Sequence, residues 1–240
     1  MRRPRAAIAL LALLAGLSAA TPGQAIALPT FTLSTFSLAK FAPPSTLFDL
    51  VPHKPAPSLI FTYDGFQVDA SAAPRGQSPD KTVRQIKAQI DLVQHMSLKP
   101  ETLAFMRTVP ILADPIKPNA PGESVHYVRG RGVVIRVNKL SPKKPIVLGG
   151  LLRAYYDQRL AGKPGNADIG RFRGEASARH VWPKTALMLQ SDGDYFALTS
   201  SAYLLGAITH EPYTRLNLRQ TQPQYYRWLA TFFDDGRARG

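Results

Sequence analysis

The sequence predicts an α+β fold: a small mixed sheet packed on helices, with a helical C-terminal half. Two observations carry this. Val125 to Val137 is rich in Val, Ile and Tyr and is broken by Gly130 and Gly132, which reads as strand, bend, strand. Elsewhere apolar residues recur at spacings of three and four, at Val83, Ile86, Ile90 and Val93 and again at Leu148, Leu151, Leu152 and Tyr155. That is the stripe of a helix with one buried face. The 240 residues include no cysteine. Disulfides, a cysteine-linked lipid anchor and thiolate metal sites are therefore excluded, and stability rests on an ordinary apolar core.

The N-terminus reads as a signal for export. Met1-Arg2-Arg3-Pro4-Arg5 is a short positive stretch, and Ala6 to Leu17 is an apolar run. Small-residue cleavage options follow at Ser18-Ala19-Ala20 and Ala25-Ile26-Ala27. This is the layout of a secretory signal peptide over residues 1–27. The apolar run falls short of the roughly 20 residues that cross a bilayer, and an uncleaved membrane anchor is the alternative. No later stretch is long and apolar enough to span a membrane. The expected location is the bacterial periplasm or the exterior.

Removal of Arg2, Arg3 and Arg5 lowers the formal charge from +14 to +11. A charge of this size attracts anions. In an exported protein those are phospholipid head groups, lipopolysaccharide or acidic polymers, although a solvated basic surface without a partner accounts for the charge equally well. Nucleic acid is not expected, because the compartment is wrong and no aromatic-basic RNA motif is present.

Residues 28–77 read as a Pro-rich arm. Pro29, Pro43, Pro44, Pro52, Pro55 and Pro57 prevent regular helix. Ser58 to Tyr63 can form a short strand, and Gly65 to Gln77 reads as a loop. The folded domain is expected over 78–240. Ser78-Pro79-Asp80 opens a helix that ends near Leu98, before Pro100. A short helix over Pro100 to Thr108, a strand over Pro110 to Ala113 and a Pro-rich loop to Gly122 follow. The second strand of the 125–137 segment is expected over Gly132 to Val137. Gly130-Arg131-Gly132 is no dinucleotide fingerprint, because no helix opens there. Helices are expected over Ile146 to Leu160 and Asp168 to Ala178, then from a cap at Ser191 or Asp192 to Leu205. Two more cover Pro212 to Arg219 and Pro223 to Phe233.

One stretch carries a resemblance. Pro145-Ile-Val-Leu-Gly-Gly-Leu-Leu-Arg-Ala-Tyr-Tyr-Asp-Gln-Arg-Leu160 resembles the active-site helix of zincin metallopeptidases. The similarity is greatest to those with a catalytic domain like that of anthrax toxin lethal factor, where the pattern reads V-L-H-E-L-L-H-A-Y-H-D-Q. In such helices two histidines four apart grip zinc and the intervening glutamate activates a bound water. Downstream, Ser191-Asp-Gly-Asp-Tyr-Phe-Ala-Leu-Thr-Ser-Ser-Ala-Tyr-Leu204 is similar to the family's S-P-Q-E-Y-F-A-E-T-S-E-A-Y/F segment. The resemblance spans residues 88 to 235. It implies a zincin-like fold, with a small mixed sheet on an active-site helix, and it implies that Val133 to Val137 is the edge strand that binds substrate.

Residue by residue, the resemblance also implies a lost site. Gly149 stands where the family has the first zinc histidine, Gly150 where it has the catalytic glutamate, and Arg153 where it has the second histidine. Asp194 stands at the third ligand, one methylene shorter than glutamate. Leu198 replaces a supporting glutamate, and Leu187 a tyrosine that assists the transition state. Glycine and guanidinium offer zinc no lone pair, so no catalytic residue, metal ligand or cofactor is expected. Arg153 and Asp194 are expected to point at each other as an ion pair. Leu-Leu-x-Ala-Tyr is also common in buried helices, so close packing accounts for the paired glycines as well.

His53, His95, His126, His180 and His210 show no ligand spacing. Asp192 with Asp194, and Asp234 with Asp235, are explained by capping and a solvated tail. The leading expectation is an exported pseudo-metallopeptidase with a peptide-binding cleft beside strand 132–137. The alternatives are a divergent zinc metallopeptidase using ligands such as His180 or His210, and a basic envelope-binding protein.

Overall fold

The computed structural model describes residues 57–234 apart from 75, 97, 116–123 and 142–143. The expected signal peptide and residues 28–56 of the expected arm lie outside the described residues. The fold is α+β, built on a five-stranded mixed sheet of order β1-β2-β3-β5-β4.

The sheet begins with a hairpin. β1 (Ile60–Tyr63) and β2 (Phe66–Asp69) pair antiparallel across Asp64 and Gly65. Both turn residues have positive φ, at 47° and 82°, the conformation whose twist matches that of the flanking strands. β2 buries Phe66 and Val68 and exposes Gln67. The stretch from Gly65 to Gln77 is therefore not all loop. Because β2 also pairs with β3 (Ile111–Ala113), the folded body starts ahead of residue 78 and takes in part of the expected arm.

β5 (Gly132–Ile135) runs parallel to β3 and antiparallel to β4 (Val125–Val128). This corrects one expectation. The strand read as the sheet edge is internal, and β4 is the edge. All four β5 residues are buried, as befits a continuous apolar run hydrogen-bonded on both sides.

Helices α1 (Pro79–Gln94) and α2 (Pro100–Arg107) connect β2 to β3. α1 buries Ile86, Ile90 and Val93 on its apolar face, and Gln89 with them. The Gln89 amide is fully used. Its Nε2 donates to the carbonyls of Ser141, at 2.6 Å, and Lys144, at 2.8 Å, while its Oε1 accepts the Val147 N–H at 3.3 Å. One buried side chain thus satisfies an orphan N–H at the start of α3 (Ile146–Tyr155) and pins the loop ahead of it. α3 continues as a π-helical turn over Tyr156–Leu160.

The C-terminal half is helical, with α4 (Pro164–Ala178), α5 (Asp192–Leu205), α6 (Arg215–Thr221) and α7 (Pro223–Asp234). Ser191 is the N-cap of α5, accepting the Asp194 N–H at 3.0 Å. α6 starts at Arg215 rather than Pro212, because Thr214 is the residue that caps it, accepting the Asn217 N–H. α4 starts four residues ahead of the expected Asp168. No helix among the described residues is long and apolar enough to cross a membrane.

Two buried tyrosines tie α5 to the C-terminal segment. The Tyr195 hydroxyl donates to Gln222, and Tyr225 shares a hydrogen bond with Thr199 at 2.9 Å. Burial pushes both phenols above their ordinary range. In the unfolded chain they ionise near pH 10 (about the model-peptide value). Their contribution is thus fully present below that pH and is lost as the pH rises above it. Stability is expected to fall by about 1.4 kcal/mol per pH unit for each tyrosine beyond pH 10. Tyrosinate absorbance during alkaline titration checks this: both phenols should ionise only with unfolding, not reversibly in the native protein.

Candidate functional site

A cleft of about 870 Å³ opens along α3, between the start of β4, the middle of α5 and the chain after α5. Of the six residues singled out from the sequence, four line it: Gly149, Arg153, Leu187 and Leu198. Asp194 is not among the lining residues and meets the cleft only through its contact with Arg153. Gly150, on the next face of α3, turns away from the cleft and lies under the sheet.

The two glycines differ in what surrounds them. Nothing lies within 4 Å of where a Gly149 Cβ would stand, so this part of the helix surface is open space. A Cβ on Gly150 would be 2.8 Å from Val125 Cγ2 and closer still to Val133 Cγ1. Gly150 is therefore needed for the approach of β4 and β5 to α3. Close packing explains one glycine of the pair and not the other.

Arg153 and Asp194 form the ion pair expected from their placement. Arg153 Nε donates to Asp194 Oδ1 at 2.8 Å, and a terminal guanidinium nitrogen lies 2.8 Å from the same oxygen. Asp194 Oδ2 accepts the Ser191 hydroxyl at 2.7 Å. Both carboxylate oxygens are thus occupied, and the charge sits in the first turn of α5, where the helix dipole favours an anion. The pair is mostly buried, with side-chain exposures of 15% and 22%. Arg153 NH1 also donates to the Val125 carbonyl at 3.4 Å, which links α3, α5 and the sheet edge.

The β4 edge has a defined polarity. Ser124 O accepts from Arg136 N and Val128 O from Arg131 N, which turns the even-numbered residues of β4 toward β5. In an antiparallel ladder the alternate residues, Val125 and Tyr127, then direct N–H and C=O outward.

Beyond the Arg153–Asp194 bridge lies a polar hollow of about 460 Å³, lined by Tyr127, Tyr156, Asp157, Arg173 and Asp192 among others. Its charges are matched. Arg129 pairs with Asp157 and Arg173 with Asp192. The Arg129 guanidinium holds the Asp157 carboxyl below the usual carboxylate range, and burial pushes the Tyr127 and Tyr156 phenols up.

His210 lines the cleft and His180 does not. Among the described residues no three His, Asp or Glu side chains are grouped so as to hold a metal ion.

No protein-family model matches the chain, and no curated protein matches it. Among solved structures it is similar to the Pro-Pro endopeptidase PPEP-2 of Paenibacillus alvei, at 19% identity and a TM-score of 0.43, over 67% of this chain and 95% of that one.

Sequence reasoning missed several cleft residues. Lys139 and Lys144 come from the turn and loop before α3, and Ala207 to Thr209 from the chain after α5. The Lys-Pro composition of 140–145 reads as a loop, and nothing in its pattern ties that loop to α5.

Proposed function

We propose that this protein is an exported, non-catalytic relative of zinc metallopeptidases that holds an extended peptide in the cleft beside β4. The observation that carries this reading is the Arg153–Asp194 bridge. By the resemblance of the two sequence segments, these residues stand at the second and third ligand positions of a zincin-like site. A guanidinium there supplies the positive charge that a metal supplies in an active enzyme, and it cannot activate water. Gly149 leaves the first ligand position open, which supports a cleft that retains room for a ligand. The outward N–H groups of Val125 and Tyr127 suit main-chain pairing with an added strand. Export rests on the signal-like sequence of residues 1–27.

Metal analysis of the mature protein purified from the periplasm tests this. The expected result is far less than one zinc per chain, with chelator changing neither folding nor ligand binding. Stoichiometric zinc, removed by chelator together with a peptidase activity, overturns the proposal. That outcome would favour a divergent metallopeptidase, for which His210 is an imidazole that lines the cleft.

A further inference from the structure

We propose that the peptide taken by this cleft is acidic, with carboxylates that meet Lys139, Lys144 and His210; this rests on the reading of the cleft as a peptide site. Charge complementarity carries the inference. Among the described residues the cleft is lined by two lysines, an arginine and a histidine, and by no carboxylate. Arg153 is neutralised by Asp194. Lys139 and Lys144 are exposed and have no ion-pair partner among the described residues. On the far side of the Arg153–Asp194 bridge the balance is different, since Asp157 and Asp192 each face an arginine there. Among the described residues the uncompensated charge of the groove therefore lies on one side of the bridge, and it is positive.

The rest of the lining says what else the ligand must have. Val125, Ile146, Leu187, Ala197 and Leu198 make an apolar floor. The volume is in the range of pockets that enclose a ligand. The N–H groups of Val125 and Tyr127 that face away from β5 are placed to pair with main-chain carbonyls. An added strand meets all three demands, because its period of two sends alternate side chains to the apolar floor and to the lysine-bearing rim. A lipid anion meets the charge and the floor but offers β4 no backbone to pair with, which favours a peptide. The Val125 carbonyl, although it accepts from Arg153, keeps a second lone pair for an incoming N–H.

The test uses the mature protein and three end-capped, fluorescent heptapeptides in which valine alternates with glutamate, glutamine or lysine. At low salt the glutamate peptide is expected to bind about tenfold more tightly than the glutamine peptide, the sum of two or more partly exposed ion pairs. The advantage should shrink to about threefold or less at molar salt, where screening is short-ranged. The double variant Lys139→Ala/Lys144→Ala should bind the two peptides alike, and Gly149→Trp, which fills the open floor, should weaken both. Equal binding of both peptides by the wild type, lost in Gly149→Trp, overturns the charge preference and leaves the peptide cleft standing. Binding of none of the three peptides at about 1 mM overturns both. Displacement of the glutamate peptide by phosphatidylglycerol vesicles assigns the lysines to a membrane surface and overturns the inference.

Discussion

Gly132→Ala is expected to destabilise the protein by about 3–5 kcal/mol, combining backbone strain with overpacking. At about 2–4 °C per kcal/mol for a domain of this size, the melting temperature should drop by about 6–20 °C. Two separate observations set the magnitude. Gly132 has φ of +132°, where side chains are rarely tolerated, and a Cβ there would stand 3.1 Å from the Pro110 carbonyl carbon and closer still to its oxygen. That oxygen is not free to withdraw, since it accepts the Val133 N–H at 2.8 Å where β5 joins β3. Relief of the clash therefore costs the central pairing of the sheet. Gly130→Ala is the control. Gly130 has φ of +77° and nothing within 4 Å of a Cβ, so only the turn strain of about 1 kcal/mol applies. Thermal unfolding of both variants followed by circular dichroism decides the matter; equal losses would mean that the contact with Pro110 is not what requires glycine.

At the paired glycines of α3, neighbouring substitutions should have opposite signs. Gly149→Ala is expected to stabilise by about 0.5–1 kcal/mol, the gain in helix propensity with nothing to obstruct the new methyl. Gly150→Ala gains the same propensity but drives a methyl into Val125 and Val133, so a net loss of about 1–3 kcal/mol is expected. Denaturant midpoints of the two variants check the signs. The asymmetry bears on the proposed loss of catalysis. Placing a carboxylate at position 150 requires β4 and β5 to move off the helix. Gly150→Glu should therefore unfold the protein more readily than Gly150→Ala, and no single substitution should install a general base there.

The α+β class was legible in the sequence because α1 and α3 have strong apolar periodicity and the 125–137 segment is dense in β-branched residues. The start of α5 was legible because Ser191 is a good capping residue three positions ahead of an acid, Asp194. Strand order was not. Whether 125–128 or 132–135 forms the edge depends on which of them β3 pairs with, and no local pattern records that choice. The hairpin at 60–69 carried a signal that the loop reading passed over, since Asp64-Gly65 is a preferred two-residue turn. For the site, Arg153 facing Asp194 followed from aligning two segments. Lys139, Lys144 and His210 converge only because Gln89 and the chain after α5 fix two loops in space.

The central position of β3 also has a consequence for how the chain reaches this structure. This three-residue strand holds the two halves of the sheet together, pairing with β2 across α1 and α2 and with β5 across the 114–131 segment. Neither pairing is local, so each must first meet the loop-closure entropy of a long intervening segment. The helices can form early from neighbouring residues, so the docking of β3 between its two parallel partners is expected to be the slow step. Changes at Ile111 would then alter the refolding rate most, whereas changes in α7 would act on the rate of unfolding.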